Sequence, residues 1–196
     1  MIRVASLSPA TLPLLRALFD DSSSTCFCRY WHFGGTKNDW LERAALRPEE
    51  NAAELERAVR TGDPSGRGLG ALGALDGTER ALGWMKLVPR GAVPKLRGLP
   101  VYRSLDLGDD ATTLSIGCFL VLPEARHRGV ARALVEAAPE IARALGALTL
   151  EAYPRRSSTP LHAEEAWQGP ERIFLDAGFE AVHDVAPYPV YRKDLR

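Results

Sequence analysis

The chain has 196 residues, 45% apolar and 26% charged, with 25 basic and 25 acidic side chains. That length can bury a sizeable core, and a net charge of zero supplies no field to draw in nucleic acid or an anionic membrane. No apolar run approaches membrane-spanning length, Met1-Ile-Arg-Val-Ala5 lacks a signal-peptide profile, and three cysteines make no disulfide framework, so a reducing cytoplasm is the expected setting.

Ile2 to Leu7 alternates and reads as a first strand. Ser8 caps and Pro9 opens a short helix whose stripe is Leu12, Leu15, Leu18 and Phe19, ending near Asp20. Cys26 to Phe33 then packs aromatic and soft side chains together. A helix from a cap at Asn38 to Leu46 follows, and Pro48 starts another that ends at Thr61-Gly62. Leu69–Leu75 and Ala81–Val88 flank Asp76-Gly77, a hairpin signal. Pro89 to Asp110 reads as a long loop, of the length that is either mobile or functional.

A central strand, about Thr112 to Leu122, comes next. Beyond Pro123 the apolar residues Val130, Leu134, Val135, Ala138, Ile141 and Leu145 recur at helical spacing, and Gly146 ends that helix. Ala147 to Tyr153 reads as a strand with Leu148, Leu150 and Ala152 on one face. A polar loop leads to a helix that starts at Ala163 or Pro170 and ends at Ala177-Gly178. Strands Phe179–Val185 and Val190–Leu195 close the chain. Hairpin and crossover connections together predict an α/β fold: a mixed, mostly antiparallel sheet with helices on both faces, in a single domain over residues 1–196.

The sharpest chemical signal is Cys118 to Val135. An apolar strand runs into Arg126-His127-Arg128-Gly129-Val130-Ala131 and straight on into a helix. A helix N-terminus offers unpaired N–H groups and the positive end of its dipole, which suits a phosphate. Gly129 lets an anion approach the backbone closely, and Ala131 adds little bulk.

This strand, turn and helix resemble the acyl-CoA signature of the GNAT superfamily of N-acetyltransferases, Arg/Gln-x-x-Gly-x-Gly/Ala. The upstream hairpin and Gly178-Phe179 fall in the family's order, so the resemblance covers nearly the whole chain. It implies that the backbone of Phe119, Leu120 and Val121 pairs with the pantetheine arm of acetyl-CoA. It also implies that the amides from Arg126 through Ala131 cradle the pyrophosphate. The acetyl group would pass directly to a primary amine in a ternary complex, without a covalent enzyme intermediate and without a metal. The acceptor would be a small molecule or a peptide, and a homodimer is left open.

Many members place a tyrosine four residues before the Gly-Phe pair as the acid that protonates the leaving thiolate. Here that position is Phe174, which has no proton to give. Tyr153 is the first substitute, with Tyr30 and His162 behind it. Glu151 is the candidate base. Tyr30, Trp31 and His32 lie where the family binds its acceptor. Cys26-x-Cys28-x-x-x-His32 has no second ligand pair, which reads as packing in preference to zinc. The rivals are an acyltransferase using another acyl-CoA or a hydroxyl acceptor, and a non-catalytic acyl-CoA sensor.

Overall fold

The structure, a computed structural model, describes residues 1–103, 105, 108–162 and 165–196. Seven strands form one sheet in the order β1-β2-β3-β4-β5-β7-β6. They are β1 (Arg3–Ser6), β2 (Gly68–Leu75), β3 (Thr78–Pro89), β4 (Thr113–Val121), β5 (Thr149–Ala152), β6 (Glu180–His183) and β7 (Val190–Asp194). Every ladder is antiparallel except β4 on β5. The helices are α1 (Leu12–Asp21), α2 (Lys37–Leu46), α3 (Pro48–Thr61), α4 (Pro94–Gly98), α5 (Pro100–Arg103), α6 (Val130–Ala144) and α7 (Glu171–Asp176).

The alternation of β3 assigns helices to the two faces. Trp84 turns to one side, its ring 6.0 Å from that of Phe19 in α1. Gly83 turns to the other, where a Cβ would lie only 2.5 Å from Val130 Cγ1 of α6. That glycine lets the first turn of α6 settle on the sheet. Val130, Leu134, Val135, Ala138 and Ala142 are the buried stripe of α6, spaced as one helical face requires.

Several sequence expectations are corrected at element ends. α1 begins at Leu12 with Thr11 as its cap residue, because Ser8 and Thr11 satisfy one another through a local turn. α2 is capped by Thr36, not Asn38: the Thr36 hydroxyl accepts from the Asp39 amide, and the Asp39 carboxylate accepts from the Thr36 amide. The expected loop after Pro89 contains α4 and α5, each entered through a proline. Leu148 is exposed and precedes β5, so it does not share the buried face of Leu150 and Ala152. α7 follows Pro170, while the other expected start, Ala163, lies outside the described residues.

One feature of the sheet positions the site. β4 pairs with β5 only from Thr113↔Thr149 to Ile116↔Ala152. Beyond Ile116, β4 runs on to Val121 paired to β3 alone. The sheet therefore splits, leaving backbone N–H and C=O groups of β4 without a strand partner in the gap.

Candidate active site

The turn after β4 leads straight from strand into helix. His127 (φ 59°) and Gly129 (φ 80°) both take the left-handed conformation, which turns the chain sharply from strand into helix. Gly129 is the N-cap of α6 and offers no capping side chain, so the first amides of the helix receive no side-chain partner. A Cβ at Gly129 would meet nothing within 4 Å, so the space over the cap is open.

A cleft of about 500 Å³ lies along the split sheet and this turn. Phe119, Leu120, Val121, Arg126, His127, Gly129, Val130 and Ala131 all line it; Arg128 does not. The opposite wall comes from Trp167, Gly169, Pro170 and Ile173. Here the loop between β5 and α7 reaches into the split: the Phe119 amide donates to the Trp167 carbonyl at 2.6 Å. Gly169 (φ 86°) passes so close that a Cβ would sit 2.9 Å from the Phe119 ring.

A second pocket, about 400 Å³, opens on the α1 side of the same strand. Phe119, Leu120, Arg126 and Trp167 line both cavities, so the two meet at the end of β4. Its further walls are Phe19 of α1, Trp40 of α2, Tyr30, Ser22, Ser24 and three cysteines, Cys26, Cys28 and Cys118. Of the expected acceptor residues, only Tyr30 lines it. Trp31 is buried against Trp167, with ring centroids 5.5 Å apart. His32 holds the turn before α4, its Nδ1 2.6 Å from the Ala92 carbonyl, and burial lowers its pKa to about 3, so it is neutral. Among the described residues no three ligating side chains converge as a metal group, so Cys26, Cys28 and His32 do not form one.

The segment from Thr25 to Arg29, part of which walls the second pocket, is held from behind. Arg29 is buried and bonds Glu54 Oε1 at 2.5 Å and the Ser65 carbonyl at 3.0 Å. Arg43 bonds Glu54 Oε2 at 2.6 Å. Burial alone would raise the Glu54 pKa, but the two guanidiniums hold it below the ordinary carboxylate range. Asn51 of α3 adds a bond to the Thr25 carbonyl. This clamp sustains left-handed Phe27 (φ 44°) and Cys28 (φ 51°), a costly conformation for such residues.

Tyr153 and Glu151 come together on the far edge of the split. The Tyr153 hydroxyl donates to Glu151 Oε2 at 2.7 Å and lies 2.9 Å from Ser115 Oγ. Glu151 Oε1 takes Arg90 at 2.8 Å and Arg192 at 2.5 Å. Glu151 and Arg90 are fully buried, and Tyr153 is 1% exposed. Burial, and then the neighbouring carboxylate, push the tyrosine pKa well up. Tyr153 lines neither cavity described above; with Ser115, Gly117, Trp31, Lys86 and Gln168 it walls a narrow gap of about 10 Å³ beside them. Phe174 is buried in a ring cluster with Phe119 and Phe179. His162 is exposed on the loop.

Phe19, Ser22 and Trp40 stand among ordinary amphipathic and turn residues and carry no chemical signal of their own in the sequence. Only the helix order, α1 and α2 flanking the aromatic run, pointed to them.

Comparison with known proteins places this geometry. Residues 28–165 match the Acetyltransferase (GNAT) family. No curated protein matches the chain in sequence. In fold, the chain is similar to the PaiA N-acetyltransferase of Thermoplasma acidophilum, solved in complex with coenzyme A (13% identity, 99% of each chain covered, TM-score 0.53). It is likewise similar to an N-acetyltransferase from Staphylococcus aureus Mu50 (16% identity, 100% of this chain and 99% of the other, TM-score 0.53). The GNAT domain of S. lividans PAT gives 18% identity over 98% of this chain and 90% of the other, with a TM-score of 0.54. At such identities the likeness is one of fold; the sequence match over residues 28–165 carries the assignment, and the chain belongs to the GNAT family of acetyltransferases.

Proposed function

We propose that the protein is an acetyl-CoA-dependent N-acetyltransferase that moves the acetyl group to a primary amine by direct attack. The observation that carries this reading is the meeting of two cavities on β4: one runs to an uncapped helix N-terminus, the other to an aromatic pocket. A donor with a phosphate-bearing arm fits the first, and an acceptor fits the second. The structures of the fold that hold coenzyme A or acetyl-CoA support the choice of donor.

In this reading the amides from Arg126 to Ala131 hold the pyrophosphate, and the edge of Phe119–Val121 that faces away from β3 pairs with the pantetheine arm. The Phe119 N–H, which donates to the Trp167 carbonyl, is the donor best placed for charge developing on the thioester oxygen. The loop carrying Trp167 yields that bond when the donor is seated.

Tyr153 replaces the missing family tyrosine in a limited sense. Its one hydroxyl proton goes to Glu151 Oε2, so Tyr153 reaches the departing thiolate only by turning that proton away from the carboxylate; with its pKa pushed up it then stabilises the thiolate through a hydrogen bond and does not hand the proton over. Glu151, with both oxygens engaged, acts as a positioning residue for Tyr153; this takes the place of the base expected from sequence. Release of coenzyme A thiol from acetyl-CoA, followed across a panel of amines, tests the proposal. No amine-dependent release, with acetyl-CoA binding intact, would favour the non-catalytic sensor.

A further inference from the structure

Beyond Ile116, β4 has no β5 beside it, and the Phe119 N–H turns into the split. There the Trp167 carbonyl accepts from it at 2.6 Å. Trp167 thus makes the bond that a continuing β5 would have made, since a backbone amide in such a place is costly to leave unpaired. The same residue lines both cavities, the donor cleft and the aromatic pocket.

The ties that hold residues 165–169 in this position are local or modest. The Trp167 indole leans on the buried ring of Trp31, with centroids 5.5 Å apart. Gly169 lies flat against the Phe119 ring, where a Cβ would meet it at 2.9 Å. The Glu165 and Ala166 amides donate to the His162 carbonyl, and the Gly169 amide to that of Ala166, so these bonds stay within the loop. The Arg155–Glu165 pair is 40% exposed on both sides and is worth little. A segment held in this way opens at low free energy.

The thioester oxygen of the donor is a carbonyl acceptor of the same kind as that of Trp167. Exchange of one for the other at the Phe119 amide leaves the number of bonds unchanged. The donor then has to overcome only the remaining ties, of which a ring pair is worth roughly two- to tenfold in an equilibrium.

Resting on the acetyltransfer reading above, we infer that Trp167 is a positioning residue that couples the two cavities. Its carbonyl occupies the Phe119 amide until the thioester oxygen takes it. Its indole, which walls the aromatic pocket together with Tyr30 and Trp40, shifts with that carbonyl. Donor binding therefore sets the wall that the amine meets, and by linkage donor and amine alter one another's affinity by the same factor.

Trp167→Ala tests this, because it removes the ring pair and leaves the backbone. Amide exchange followed by NMR should be roughly two- to tenfold faster at Phe119 in the variant, with the β2–β3 ladder unchanged; equal exchange at Phe119 overturns the inference. Titration calorimetry should show acetyl-CoA binding tighter by a similar factor. A Trp167 that is only a wall of the donor cleft would lose contacts on truncation, so weaker donor binding also overturns it. Trp167→Phe, which keeps a ring on Trp31, should restore wild-type values. In the wild type, the Kd of coenzyme A should change at least about threefold when the amine that releases thiol fastest is saturating, and in Trp167→Ala that ratio should fall towards one. A ratio of one in the wild type, or an unchanged ratio in the variant, overturns the coupling while leaving acetyltransfer standing. Absence of thiol release with every amine overturns the acetyltransfer reading, and this inference with it.

Discussion

Gly129→Ala separates anion binding at the turn from mere conformational need. Gly129 has φ 80°, and the added methyl would meet nothing within 4 Å. The cost in the protein alone is thus that of a left-handed alanine, about 1–2 kcal/mol. For a chain of this size that lowers Tm by roughly 2–8 °C. Gly62→Ala is the matched control: φ is 73°, its Cβ also meets nothing, and it ends α3 away from the cleft. The two variants should lose similar stability by thermal circular dichroism. Only Gly129→Ala should also lose affinity for acetyl-CoA by titration calorimetry, by roughly tenfold or more, since bonds to a charged group are worth about 1.5–3 kcal/mol and the methyl stands where the phosphate must approach. Equal affinities in the two variants would refute the placement of the pyrophosphate at the start of α6.

Tyr153→Phe should lower kcat while leaving acetyl-CoA affinity nearly unchanged, and unchanged kcat in steady-state kinetics would remove Tyr153 from the mechanism. Lys86 is fully buried, its ammonium donating to the Ser65 carbonyl at 2.6 Å, and desolvation lowers its pKa from 10.5 to about 8. Between those values the unfolded chain binds a proton that the folded protein does not, so stability rises with pH. Relative to Lys86→Met, the wild type should gain roughly 2 kcal/mol from pH 8 to 9.5 in urea denaturation; a difference that does not change with pH rules out the shift. Thr36→Ala should cost about 1 kcal/mol by removing the cap of α2, read as a fall in Tm of roughly 2–4 °C.

The turn that lines the first cleft was legible in the sequence because it depends on local rules. A strand, a glycine with positive φ and a helix beginning at once are consecutive in the chain, and Gly129, Val130 and Ala131 line that cleft. The second pocket was legible only as a region. Phe19, Ser22, Tyr30, Trp40, Cys118 and Trp167 come from segments far apart in the chain. Trp31 and His32 looked equivalent to Tyr30 in sequence, yet one packs on Trp167 and the other tethers the Ala92 carbonyl. Glu151 shows the same limit: its identity suggested a base, but Arg192, opposite it across the β5–β7 ladder, and Arg90, from the turn after β3, engage one oxygen while Tyr153 takes the other. Long-range pairing decides such roles, and no spacing along the chain encodes it.

Acetyl-CoA carrying a carbon-13 label in its acetyl carbonyl, mixed with protein and the amine of the panel that releases thiol fastest, tests direct N-acetyl transfer most immediately. Direct transfer predicts one coenzyme A released per labelled amide formed on the amine nitrogen, by NMR and mass spectrometry, with no label left on the protein. Label retained as a thioester on Cys28 or Cys118, or coenzyme A released with no amide formed, would contradict it.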